Sequence, residues 1–567
     1  MSAAPPAALP QARWRAPAGG LPAALAPVVV IGLAAILMQW RFGLLGDVSW
    51  LITVDEKWLD GATPYRDVIE INPPASLMLY WPAVALARVL GVAPEFIVAA
   101  FGFLSIAAGL GLAAAILARA GLLDRLGALG LSVALVAFAV LPGQSFDERD
   151  HLAAVYGLPF LAVAAARAAR APPDARLALL AGLGAGLMAA IKPPYALVAI
   201  VLLPYLVRRA GIVPLMKAVE YYAAAAVGLA YLAFVPHAFP HYVADILPLG
   251  LDVYAPIREP IAALLASPGP LFAFVLAVCA LRLARDDPGE PLVAVPALAG
   301  LGALAAYLVQ GKGWLYQAYP TLAFFSLAAG AALTRFAQPK PRLALGALVF
   351  LAAALGFVAL GHWPSPLAFV AAGIGVALAW GLEWRKAGAA PIAEMGVAAA
   401  LGAACGLFAM DGIETPAIAR ALASLGPHPT VASLSESLAF GHPMVRQVGG
   451  VWVQSVPSLW IAAAARRRID EHPGDAALAQ RMRVYIDADR DRLVADLARN
   501  RPDALLVGRL DTRFHQWLWN DPEVAAARAG YRFYAAETDV GFPAQLWVRA
   551  DLFGLRPALP EGELGEP

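Results

Sequence analysis

Five stretches of this chain place acids, bases and aromatic rings beside long apolar runs. The first, "GDVSWLITVDEKWLDGATPYRDVIEINPP", holds Asp47, Asp55, Glu56, Lys57, Asp60, Arg66, Asp67, Glu70 and Asn72. "PGQSFDERDHL" follows with Asp147, Glu148, Arg149, Asp150 and His151, and "IKPPY" with Lys192. "LDVYAPIREP" brings Asp252, Tyr254, Arg258 and Glu259, and "QGKGWLYQAYP" brings Lys312, Trp314, Tyr316 and Gln317. A carboxylate can take the proton of a hydroxyl, and Lys or Arg can neutralise a phosphate oxygen. Gathered at a membrane boundary, such groups suit a reaction between a lipid-borne donor and an acceptor on the same side.

The elements that must position them are membrane spans. Of 567 residues, 60% are apolar and only 15% charged, and the mean hydropathy is +0.66; soluble domains are closer to one-quarter charged. Apolar runs recur from Leu21 to Met410 and are rich in Ala, Leu, Val and Gly, which predicts helices and not barrel strands. Length and flanking charge predict about thirteen spans. They fall near 21–40, 95–117, 126–141, 152–168, 177–191, 195–207, 218–235, 270–283, 292–309, 321–333, 343–360, 367–382 and 392–410. The run at 21–40 is long for a signal-peptide core and reads as a retained helix. "ASLMLYWPAVALARVLG", interrupted by Pro82 and Arg88, reads as a helix lying on the surface.

Most Lys and Arg of the short connections fall in "ARAGLLDR", "ARAARAPPDAR", "VRRAGIVPLMK", "TRFAQPKPR" and "EWRKAG", which puts these inside. The five reactive stretches then share the outer face, with the first outer loop at 42–93. The N-terminus is cytoplasmic, its first twenty residues too rich in Ala and Pro to fold. The expected setting is a bacterial inner membrane, with the tail from Asp411 to Pro567 in the periplasm. It mixes a charged helix, "LAQRMRVYIDADRDRLVADLARN", with strand-like "TVASLS", "ALLVG" and "QLWVRA", which predicts a small α/β domain. "GHPMVRQVGGVW" has glycines without the strand–loop–helix spacing of a nucleotide site. Cys279 and Cys405 both sit in apolar runs, so no disulfide framework is expected. A net charge of +1 gives no sign of a nucleic-acid partner.

An acidic residue just past the first span, then "LDGATPYRDVIEINPP", a surface helix and a second span, resembles the first outer loop of the GT-C membrane glycosyltransferases. That superfamily contains the protein O-mannosyltransferases and the lipid A aminoarabinose transferase. "DERDHL" and "QGKGWLYQAYP" are similar to loops of its bacterial members. The resemblance implies a GT-C-like helical membrane domain over 21–410. It also implies inverting transfer of a hexose or pentose from a polyprenyl-phosphate donor to an acceptor hydroxyl of a lipid, glycan or protein.

Such a step needs a base, cations for the departing phosphate and a groove for the prenyl tail. Asp47 lies where the superfamily has its acid, with Trp50 as an apolar wall, and is the expected base. The superfamily often has two adjacent acids here; this chain has "DV". That departure weakens the case for a divalent cation, whose remaining oxygen ligands would be Asp55, Glu56 or Asp150. Arg149, Lys192, Arg258 and Lys312 are the expected phosphate contacts, each of them equally explicable as a boundary residue. Arg66, Asp67, Asp150, His151, Tyr316 and Gln317 are expected to contact substrate or shape loops. Asn72, Pro73 and Pro74 are expected to turn the chain into the surface helix.

A transporter or flippase of a lipid-linked saccharide is the alternative, and a non-catalytic scaffold the third reading. Transporters put charge near the midplane, whereas these spans are nearly free of it and "IKPPY" alone suggests a broken helix.

Overall fold

A computed structural model describes residues 20–171, 173–336, 392–410, 415–537 and 543–553. The spans expected at 343–360 and 367–382 lie outside them. Every other expected span coincides with a helix, opening with α1 (Gly20–Phe42), α2 (Gly46–Leu59), α3 (Pro74–Leu90) and α4 (Pro94–Arg119). Next come α5 (Gly127–Leu135), α6 (Arg149–Ala168), α7 (Ala175–Ile191) and α8 (Ala196–Ala210). Helices Val219–Ala238, Pro268–Leu283, Pro291–Gln310, Leu315–Phe336 and Ile392–Ala409 complete the bundle. Among the described residues, Pro94–Arg119, Arg149–Ala168, Ile212–Ala238 and Pro291–Gln310 are each long and apolar enough to cross a membrane. Phe96, Leu104, Leu229 and Leu232 turn outward, as a lipid-facing surface requires.

Two helices start earlier than their apolar runs suggest. α6 begins at Arg149, not Leu152, and Leu315–Phe336 begins six residues before the expected Thr321. Arg149, Asp150, His151, Tyr316 and Gln317 are therefore helical residues and not loop residues. In "ASLMLYWPAVALARVLG" the helix α3 forms as expected, with Pro73 and Pro74 at its head.

Small residues let helices touch. Gly182 and Gly186 lie one turn apart on α7, and a Cβ on Gly182 would stand 2.3 Å from the Glu220 carbonyl oxygen of the helix Val219–Ala238. The contact is closed by Arg167 of α6, whose Nε and Nη2 donate to the Glu220 carboxylate at 2.5 and 2.8 Å. The α5 end widens into a π-turn at Val136–Val140. His151 Nε2 and Tyr319 Oη take up the Phe138 and Ala137 carbonyls at 2.9 and 2.8 Å, so the irregular turn leaves these carbonyls satisfied.

The C-terminal domain, expected from the sequence to lie on the outer side, carries a five-stranded sheet of order β2-β1-β3-β5-β4. Its strands are β1 (Thr430–Leu434), β2 (Val451–Trp452), β3 (Ala504–Gly508), β4 (Tyr531–Glu537) and β5 (Ala544–Arg549). β2, β1 and β3 run parallel, while β5 pairs antiparallel with both β3 and β4. The expected strands "TVASLS", "ALLVG" and "QLWVRA" are β1, β3 and β5; β2 and β4 complete the sheet.

This domain does not hang free. Val48, Leu51 and Tyr80 of the first outer loop share one apolar core with Val445, Trp452 and Leu505. Arg446 forks onto Glu56 and, at 2.6 Å, onto Glu95, while Lys57 donates to the Gln454 carbonyl at 2.5 Å. Ile69 N–H donates to the Ser455 carbonyl at 2.8 Å.

Gly182→Ala forces a methyl into backbone, an overpacking that costs about 1–3 kcal/mol. Thermal unfolding in detergent should show a lowered midpoint for this variant. Gly228→Ala, with nothing within 4 Å of the new methyl, should leave the midpoint in place.

Candidate functional site

The first span ends at Phe42 and the chain resumes helix at Gly46 with its axis turned by 71°. The turn places Asp47 in the first helical turn of α2, at the floor of a cavity of about 770 Å³ between the membrane helices and the outer domain. Gly46 is required there, since a Cβ would stand 2.7 Å from the His442 carbonyl oxygen of the outer domain. The side chain of Asp47 is 22% exposed. Burial raises its pKa; neighbouring Glu148 adds to the rise and Arg149 opposes it.

Arg149 opens α6 and is 3% exposed, beside a Glu148 that is wholly buried. Its Nη2 lies 2.9 Å from Glu148 Oε1 and 3.4 Å from Asp47 Oδ2, so one guanidinium serves two carboxylates. Among the described residues its Nη1 has no hydrogen-bond partner. Helices starting at Gly46, Arg149 and Leu315 all present their N-termini to this cavity. Their partial positive charges add to Arg149 and suit an anionic group such as a phosphate.

The other expected cations are distributed differently. Lys192, in the break after α7, pairs with buried Asp150, which also accepts from Tyr195. Its ammonium lies 5.2 Å from the centre of the ring of Tyr316, a residue that lines the cavity. Lys312 Nζ donates to the Tyr254 and Ile257 carbonyls at 2.5 and 2.7 Å, fixing that loop. Burial, then Arg258, lowers its pKa to about 8. Arg258 itself is exposed and caps a helix end through the Val309 and Leu308 carbonyls at 3.0 and 3.1 Å.

Arg66 and Asp67 form an exposed pair at 2.9 Å, and Asp67 also accepts from Thr63 N–H, so both shape the loop. His151 accepts from Asp147 N–H at 3.0 Å and turns its other nitrogen to Phe138, which occupies both ring nitrogens within the fold. Gln317 is buried. Of the three acids considered as cation ligands, Glu56 holds Arg446, Asp150 holds Lys192, and Asp55 is enclosed without a hydrogen-bond partner among the described residues. Among the described residues no three His, Cys, Asp or Glu side chains converge as a metal site.

The loop wall is built by Glu70, which accepts from Trp50 Nε1 at 2.5 Å and from Asn72 N and Nδ2 at 2.6 and 2.5 Å. From the outer domain, Glu436, His442, Ser458, Trp460 and Asp511 reach the same cavity, and no motif in the sequence marks them. One signal does exist: Glu436 and Asp511 lie just past the carboxyl ends of β1 and β3, where open parallel sheets bind ligands. His442, packed against Trp50 and Trp452 at 5.5 and 4.6 Å, is held neutral, burial lowering its pKa to about 3 with Arg446 and Lys57 contributing.

No family model matches the sequence, and no curated protein does. Solved structures do match. The crystal structure of ArnT from Cupriavidus metallidurans bound to undecaprenyl phosphate superposes with a TM-score of 0.53 at 15% identity, covering 92% of this chain and 97% of that one. ArnT from the same organism in the apo state gives 0.52 at 16% identity, covering 95% and 100%. Over nearly its whole length, C-terminal domain included, the chain therefore shares the fold of these ArnT structures.

Proposed function

We propose that this protein is a membrane glycosyltransferase that moves a sugar from a polyprenyl-phosphate donor to an acceptor hydroxyl, with inversion, on the periplasmic face of a bacterial inner membrane. The observation that carries it is the Asp47–Arg149 pair, 3.4 Å apart in the wall of a covered cavity, in a fold shared with a protein solved with undecaprenyl phosphate. The Lys and Arg of the inner connections support the orientation.

In this reading the acceptor oxygen attacks the anomeric carbon as the bond from that carbon to the phosphate oxygen breaks. Asp47 takes the hydroxyl proton, and polyprenyl phosphate leaves with the bonding pair. Arg149 and the converging helix N-termini receive the negative charge that grows on the phosphate. Burial serves the base: it makes the carboxylate hold a proton more firmly than an exposed aspartate would. Glu148, sharing Arg149, keeps the guanidinium in place when Asp47 becomes neutral.

Asp47→Asn should lower turnover by about 10²–10⁴-fold while polyprenyl phosphate still binds, measured by transfer of labelled sugar in nanodiscs. Retained turnover would remove Asp47 from the reaction, and counterflow of intact lipid-linked sugar would favour transport.

Because Asp47 must be ionised to act, kcat/KM should fall as pH drops through its raised pKa. The acid limb should therefore stand above the ordinary aspartate range and vanish in Asp47→Asn.

The cations should separate by what they touch. Arg149→Lys should cost about 10²–10³-fold in turnover. Lys192→Met, which strands buried Asp150, should cost about 3–5 kcal/mol of stability, read from the unfolding midpoint. Arg258→Ala should leave transfer within about twofold, since an exposed helix cap contributes about 0.3–1 kcal/mol.

A further inference from the structure

The cavity has a second end. From Asp47 and Arg149 a line of rings leads toward the outer domain: Tyr316 to Trp314 at 5.7 Å, Trp314 to Tyr254 at 6.2 Å, and Tyr254 to Trp460 at 5.8 Å. Trp460 lies in the outer domain, beside the loops that leave the carboxyl ends of β1, β2 and β3. All three parallel strands thus aim the same end at the membrane cavity, the end at which such sheets bind ligands.

Glu436 is the polar centre of this end. Its Oε1 accepts from Asp511 N–H at 2.7 Å, and its backbone carbonyl accepts from Ser458 Oγ at 3.0 Å. Those bonds hold the residue still. Glu436 is half-buried and lines the cavity, within reach of a molecule bound there. A carboxylate in a cavity wall accepts hydrogen bonds from the hydroxyls of a bound ligand.

We propose that these carboxyl-end loops form the acceptor subsite, and that the acceptor is a saccharide whose ring stacks on Trp460 while its hydroxyls donate to Glu436. The inference rests on the transferase reading above. Rings spaced along a cleft offer flat apolar faces to sugar C–H surfaces, and a carboxylate accepts from hydroxyls in several directions. An extended peptide is a poorer fit. β2, the edge strand whose loop reaches the cavity, pairs over only Val451 and Trp452, too short a template for strand addition. Sugar on this ledge would place a hydroxyl toward Asp47 and leave the donor phosphate at Arg149, so the two substrates approach from opposite ends.

The test uses the full chain in nanodiscs, with labelled polyprenyl-phosphate sugars extracted from native membranes as donor. Two acceptors are offered: delipidated envelope glycan from the same cells, and a Ser/Thr-rich peptide. Label should pass to the glycan. Glu436→Gln and Trp460→Ala should each raise the glycan KM about tenfold, with kcat and the donor KM within about twofold. Circular dichroism and the unfolding midpoint check that the variants fold. Label passing to the peptide, or a glycan KM unmoved in both folded variants, overturns the subsite and leaves the transferase reading standing. If the wild-type chain labels neither acceptor and releases no free polyprenyl phosphate, the transferase reading itself fails and this inference with it.

Discussion

A single buried guanidinium organises this protein. Removing an arginine from water costs several kcal/mol unless charge of the opposite sign is held against it, and Arg149 meets that cost with Glu148, its own neighbour at the head of α6. The second carboxylate, Asp47, comes from another span and arrives only because the chain turns sharply between α1 and α2. Two acids on one base leave the set one negative charge in excess, balanced in part by three helix N-termini aimed at the same space. Glu148 is the nearer partner of Arg149, at 2.9 Å against 3.4 Å for Asp47, so the guanidinium's main contact does not depend on the charge of Asp47.

Much of the bundle was legible in the sequence because lipid demands long apolar helices whose backbone satisfies itself. The roles within a reactive stretch were less so. "DERDHL" looks like one cluster, but α6 has already begun, and successive helical side chains point about 100° apart. Arg149 therefore meets the cavity, Asp150 meets Lys192 and Tyr195, and His151 turns back to the π-turn. The same rotation separates Tyr316, in the cavity wall, from buried Gln317. Adjacency along the chain predicted shared position on the membrane, and it did not predict shared function. Arg258 and Lys312 show the other limit: cations beside helix ends found backbone carbonyls to hold, a use that leaves no pattern in the sequence.

The outer domain illustrates a different gap. Its apolar strands β1, β3 and β5 announced themselves, whereas β2 pairs over two residues beside glycines, and β4 is an edge strand whose first three residues are not buried. What no local pattern carries is which end of a sheet faces the membrane. That follows from docking, through Arg446, Lys57 and Ile69, and the docking brings Glu436 and Trp460 into a cavity whose opposite wall lies hundreds of residues earlier.

The shared core has a consequence for how such proteins can be altered. Because Val48, Leu51 and Tyr80 are buried by the outer domain, ending the chain after the last described span would bare an oily ledge to water. Grafting on a relative's ectodomain would meet the same fault unless the segment 46–90 travelled with it. Natural recombination in this architecture should accordingly exchange the two pieces together, as a matched pair separated by more than three hundred residues of unexchanged bundle.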